Sequence, residues 1–463
     1  MRRQEFAFLG AFVLVLGLAL FLDRNLRPVP RSVRLEDPGR FVSAGWYCPA
    51  PGGEDIDAVM SATNLGRSAL GLRRFAVGGS GQSNVQQAML GPGQRSAVSL
   101  TEFQRPDAVG VTETFGQASA THLTARGRTK GVAASRCSMQ PWDKWFFPYG
   151  STLRGEDHFL LVANPFREEA VVRVRLLTPD RDFVPARLRD LLVPALSQAS
   201  VNLSDYVEET PTVGVELTAT TGRVVASRYS VISREGVRGV SLDVGARDPA
   251  DRWFFAGGEV PLDGEEAIVM INPSEREALV GISFFTEGDR VAPPELSEVA
   301  VPAGRQVTVD VGEHLSKGTR HGISIESAND VPLVAERRTS PVVPGGRGYE
   351  TAFGVPASSS RWVVPAGSEA GGSSVLSVVN VGSSATTLSV RLITAQGLTA
   401  PPDLARVPIE PGGRVTMELT RHLAGGAATA VVEAARGSVV IESSVTVAAP
   451  YADLAVSPGQ PLP

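Results

Sequence analysis

Lysine is nearly missing from this 463-residue chain: only Lys130, Lys144 and Lys317 stand among 44 basic residues. The glycine-rich stretch Gly78-Gly79-Ser80-Gly81 therefore has no lysine and no helix behind it to hold a phosphate. Cysteine is just as scarce, with Cys48 and Cys137 the whole complement and no histidine near either, which argues against a metal centre. No G-x-S-x-G nucleophile elbow occurs. No pair of carboxylates stands apart as a glycosidase pair would. The net charge of −5 supplies neither a basic field for nucleic acid nor an acidic tail. These absences lead us to expect no enzyme, no catalytic residue, no cofactor and no nucleic-acid partner. The excess of arginine, with much Ala, Gly, Pro and Val, records a GC-rich genome rather than an arginine-dependent function.

Glycine and proline are plentiful instead, at 48 and 33 residues, which suits many short strands joined by turns. The length suggests three or four domains at about 100–200 residues each. Arg2 and Arg3 precede an apolar run from Phe6 to Leu22, closed by Asp23 and Arg24. Seventeen residues span about 25 Å as a helix, slightly less than a bilayer core. Ala19-Leu20-Phe21-Leu22-Asp23 offers no small-residue cleavage site, so residues 6–22 read as an uncleaved signal anchor. Residues 1–5 then face the cytoplasm, 23–40 form a linker, and the C-terminal bulk lies outside a single-pass cell membrane. Arg24, Arg27, Arg31 and Arg34 weaken that orientation, but no other segment is apolar enough to span.

The rest repeats. Trp46, Trp145, Trp253 and Trp362 each open an apolar strand, and Asn64, Asn164, Asn272 and Asn380 end another strand 18 or 19 residues later. Further strands follow, as in Val171 to Leu177 and Leu279 to Phe285, then a turn at Pro92, Pro194, Pro302 or Pro411. A helical turn comes next, with Thr101, Ser204, Gly312 and Thr420 as its expected N-caps. Six or seven alternating strands in about 100 residues predict an all-β chain of four tandem immunoglobulin-like β-sandwich repeats. The expected repeats are 41–140, 141–235, 236–340 and 341–450, with 451–463 a C-terminal tail. Segments such as Gly236 to Asp251 and Gly345 to Ser360 would serve as linkers or extra edge strands. Four such units end to end would project over ~100 Å.

Cys48 follows Trp46 on the opening strand and Cys137 follows the closing strand of the first repeat, so an oxidising compartment predicts a disulfide between them. The four recurrent tryptophans are expected in the cores. His314 and His422 take the place of Phe103 and Tyr206, which implies packing behind the helical turn. His122 and His321 have no acidic partner at ligand spacing. Glu156, Asp157 and His158, with Glu265 and Glu266, form a candidate ligand loop for calcium or sugar hydroxyls, against the plainer reading of a solvated turn. Arg136, Arg228 and Arg337 recur near the closing strand, where Ser443 stands in the fourth copy. An ion pair along the strand is favoured for them over a partner contact.

Cys48-Pro49-Ala50-Pro51, Cys137 followed by Trp145-Phe146-Phe147, and the repeated Leu-x-Val-x-Asn-Pro strand resemble an actinobacterial family of secreted or anchored proteins, domain-of-unknown-function family 5719. The resemblance spans most of residues 40–450 and supplies no catalytic residues. It implies an envelope role beside a glycosyltransferase. The expected function is a non-enzymatic, envelope-anchored scaffold or accessory protein for cell-envelope glycan assembly. Its partners would be the plasma membrane and an envelope glycosyltransferase or cell-wall polysaccharide. The alternative is an extracytoplasmic glycan-binding or adhesion module, and a hydrolase is the least favoured.

Overall fold

A computed structural model describes residues 43–52, 56–103, 108–115, 119–127, 131–287, 290–368, 371–448 and 452–462, with only the backbone described for Ser43 and 119–127. The expected anchor at residues 6–22 lies outside the described residues, among which no helix is long and apolar enough to cross a membrane.

The described chain is all-β, in eight sheets of four to six strands. Two strand orders alternate along the chain. One sheet is built on the tryptophan strand: Lys144–Phe147 pairs with Gly214–Thr221, which pairs with Ala170–Leu177, all antiparallel. Its companion is built on the asparagine strand: Ser197–Asn202, Glu156–Asn164, Val225–Arg234 and Val237–Val244, in that order. The same two orders recur before and after this pair. The strand Ala170–Leu177 buries Val172, Val174 and Leu176 and turns Arg173 out, the period-two pattern of a sheet wetted on one face. The strand Glu266–Asn272 is buried at every residue, because its sheet packs on both faces.

The recurrent residues do recurrent work. Trp145, Trp253 and Trp362 donate their indole N–H to the carbonyls of Val224, Leu333 and Val439 at 2.8–2.9 Å. Asn164, Asn272 and Asn380 each donate to a carbonyl four residues on and to another 29 residues on, while the amide oxygen accepts from the N–H two residues on. One buried side chain thereby satisfies three backbone groups of a tight turn. Cys48 and Cys137 form the expected disulfide across 89 residues.

Several boundaries differ from the sequence reading. Residues 236–251 include the edge strand Val237–Val244, hairpinned onto Val225–Arg234, so a boundary at 235 would cut a ladder. The supposed tail contributes Asp453–Pro458, paired along Val439–Val447. The helical turns are 3-10 turns, and the second and third are capped two residues earlier than expected. Asn202 and Asp310 accept from the N–H groups of Ser204 and Gly312, since an oxygen reaches back to the N–H two positions on.

The sheet pairs do not form a rod. The edge strands Gly131–Arg136, Val237–Val244, Glu350–Phe353 and Asp453–Pro458 converge, each packing against the one before and the one after, the last against the first. Strand register makes Val109, Gly214, Gly322 and Thr429 equivalent, each level with the residue three places after the tryptophan of its strand. Each faces the residue preceding the next recurrent asparagine. Val109 shares an apolar cluster with Ala163. A Cβ on Gly214 or Gly322 would stand 2.5 Å from Ile271 Cγ2 or 2.6 Å from Val379 Cγ2. Thr429 then closes the circuit on Thr63, their hydroxyls 2.7 Å apart. One head-to-tail contact used four times makes a ring.

Candidate functional site

Trp46, Trp145, Trp253 and Trp362 are all buried, as core residues should be. The candidate ligand residues, from corresponding loops of the second and third copies, open two strands and alternate in direction. Glu156 and His158 point inward and Asp157 outward; Glu265 points outward and Glu266 inward. Glu156 meets Arg234 at 3.1 Å, and Glu265 meets Arg338 at 3.0 Å. His158 is fully buried, its Nδ1 2.8 Å from Ser230 Oγ and its ring edge-on to Tyr149. Burial, then the charges of Arg228 and Arg338, hold its pKa well below the usual value, so the imidazole is neutral. No group of three or more potential ligands that could hold a metal occurs among the described residues. His314 and His422 lie behind their turns and reach Glu295 at 3.0 Å and Asp403 at 3.2 Å.

The arginines stitch one sheet pair to the next. Arg228 is 1% exposed and binds Glu336 of the following pair through both terminal nitrogens, along with Asp243 and Thr351. Arg337 repeats the motif one step on, donating to Glu442 at 2.5 Å. Register makes Arg228, Arg337 and Ser443 equivalent, and likewise Glu336 and Glu442. Arg136 is not their counterpart. It sits one strand over, opposite His122, and donates to the carbonyl of Gly459. The expected pair along the sheet face is present, with Arg228 3.0 Å from Asp243 opposite it, and a second pair joins successive sheets, where burial makes a single unpaired guanidinium costly.

The two stitched interfaces share their ion pair and differ in what surrounds it. Between the second and third sheet pairs, Tyr149, Ile232, Val269 and Tyr349, with Val237, form an apolar cluster. At the corresponding positions of the next interface stand Gly257, Pro341, Ser377 and Leu454. Every one of these is smaller or more polar, and a cleft of about 970 Å³ opens there.

Glu266, Arg337, Arg414, Glu442, Ser377 and Ser443 line the cleft together with Val375, Val415, Leu454 and Val456. Arg414 is held by the Ala256 carbonyl and the hydroxyls of Thr416 and Ser377. Burial lowers its pKa to about 10, still fully charged at neutral pH. Glu266 Oε1 lies 3.4 Å from His321 Nε2 and 3.7 Å from Arg337 Nε. Burial pushes the Glu266 carboxyl up, but His321 and Arg337 outweigh it and leave the pKa below the ordinary value. Burial likewise lowers Arg337, and Glu442 and Glu266 more than restore it. Glu266 Oε2 and Arg337 Nη1 are buried without a hydrogen-bond partner. Sequence reasoning named Glu266 but missed His321, Arg337 and Arg414 as its neighbours, because they come from strands 55 to 148 residues away. The only local signal was Gly257-Gly258 where another copy has Tyr149-Gly150.

The fold and this cleft define an all-β, sandwich-like protein whose buried charges join sheet to sheet. The model of the family of unknown function DUF5719 matches residues 93–358, more than half of the chain, and the protein belongs to that family. No curated protein matches it. Among solved structures, Thermotoga maritima 1070 is 22% identical, covering 23% of this chain and 95% of that one, with a TM-score of 0.21. The Anabaena sensory rhodopsin transducer is also 22% identical, covering 19% of this chain and 96% of that one, with a TM-score of 0.18. A serine-rich repeat protein (Srr2) from Streptococcus agalactiae is 10% identical, covering 51% and 85%, with a TM-score of 0.13.

Proposed function

We propose that the protein is a non-enzymatic scaffold of four tandem immunoglobulin-like β-sandwich repeats, anchored in the cell membrane by residues 6–22 and held outside the cytoplasm. The observation that carries the reading is where the buried polar residues are used. Arg228, Glu336, Arg337 and Glu442 join successive repeats, and Asn164, Asn272 and Asn380 fasten turns. These are the tasks of a rigid support rather than of an acid–base array. The Cys48–Cys137 disulfide suits an oxidising compartment. The partner of such a support would be a membrane-bound envelope enzyme, a glycosyltransferase above all.

Pull-down mass spectrometry of the full-length protein, solubilised from a close native host with detergent controls, tests this. Specific recovery of an envelope glycosyltransferase is the expected result. Recovery of no envelope protein would sink the scaffold reading. The glycan-binding alternative is favoured by one observation, the polar-floored cleft between the third and fourth repeats.

A further inference from the structure

We infer that the cleft between the third and fourth sheet pairs is a binding site for a neutral saccharide, whose hydroxyl groups reach Glu266 and Arg337 on its floor. This rests on the reading of the protein as a non-catalytic binding scaffold and adds a ligand to it.

The floor decides the chemistry. Arg337 Nη1 requires an acceptor and Glu266 Oε2 requires a donor, and neither finds one within the protein. Both residues are at least nine-tenths buried, so each unmet group carries a desolvation cost that a ligand would relieve. Gly258 packs so closely over His321 Nε2, Glu266 Oε1 and Arg337 Nη1 that a Cβ there would stand 2.8, 2.9 and 3.0 Å from them, which gathers donors and an acceptor beneath one glycine. An ammonium ion only donates, and would leave Arg337 unmet and repelled. A phosphate or carboxylate only accepts, and would face the five glutamates that line the cleft against three arginines. A hydroxyl does both, and neighbouring hydroxyls on a sugar ring can accept from the guanidinium while donating to the carboxylate.

The walls fit the same ligand. Val375, Val415 and Val456 offer apolar surface to the C–H faces of a sugar. The exposed Leu262 and Val342 extend that surface at the rim. A volume of about 970 Å³ stands at the upper end of ligand-sized clefts and has room for more than one sugar unit. The second-to-third interface offers no such space, since Tyr149 and Tyr349 fill it.

The test applies the full chain, in detergent, to an array of neutral pentose and hexose oligosaccharides, with heparin and spermine as charged controls. Two variants accompany it. Leu454→Tyr fills the cleft with the residue that closes the neighbouring interface, and Glu266→Gln keeps the shape while removing the charge that anchors a hydroxyl. Retention of a neutral oligosaccharide, weakened about tenfold or more in either variant that keeps native near-ultraviolet circular dichroism, is the expected result. The inference is overturned if wild-type protein retains no neutral saccharide, or if both folded variants retain it as well as wild type does. A blank array beside a successful pull-down removes the saccharide site and leaves the scaffold standing. A positive array beside an empty pull-down keeps the site and removes the protein partner.

Discussion

Asp453 stands where three other sheets have glycine. Register along the converging edge strands aligns Gly131, Gly239 and Gly348 with it, and a Cβ on any of the three would collide with the Asp453 carboxyl group. That group accepts from the N–H of Val132 at 3.2 Å, Val240 at 2.9 Å and Tyr349 at 3.0 Å, all at equivalent positions. Asp453→Ala should therefore leave three buried donors unmet and cost about 3 kcal/mol or more, read as a fall in denaturant midpoint. Glu350, nearby, is fully buried, and burial followed by the charges of Asp243 and Asp453 pushes its pKa well above the ordinary 4.5. The unfolded chain ionises this group from about pH 4.5, while the folded one resists. Its contribution to stability is therefore greatest below that pH and is lost as the pH rises. Glu350→Gln should raise the melting temperature at pH 8 and leave it nearly unchanged at pH 4. An equal change at both pH values would disprove the assignment. The tryptophans and asparagines were legible in the sequence because the same residue type recurs at the same spacing. Asp453 was not, because its equivalents are glycines and its segment read as a tail.

Strands were equally legible wherever alternation is strict, as in Ala170–Leu177. What the alternation could not show is which sheet has two buried faces, since Glu266–Asn272 owes its second face to a neighbour distant in sequence. The arginines were seen to recur, yet their partners Glu336 and Glu442 lie 108 and 105 residues further on. Glu336→Ala would leave the buried Arg228 guanidinium with Asp243 as its remaining ionic partner, and a loss of about 3 kcal/mol is expected, with a double-mutant cycle against Arg228→Met recovering part of it. The disulfide ties the first strand of the first sheet pair to its last over 89 residues. Replacing Cys48 and Cys137 with serine should cost about 2–5 kcal/mol, measured by urea unfolding with and without reductant.

At the scale of the whole unit formed by residues 39–462, four head-to-tail contacts replace the rod that four consecutive sandwiches suggested. Nothing in a single repeat encodes the difference, because the turn between successive units is set by interface geometry rather than by local sequence. Thr63 and Thr429, 366 residues apart, report it directly. With both changed to cysteine, mild oxidation should link them within one chain. A tryptic map without that crosslink would restore the rod.

The central carboxylate also imposes an order of events. The N–H groups of Val132, Val240 and Tyr349 are made first during synthesis, and their common acceptor is made last. Until the fourth edge strand arrives, those three donors lack their common acceptor. A chain arrested after the third unit would resemble an arch without its topmost stone: each part shaped, the whole unlocked, and the exposed donors open to quality-control proteases.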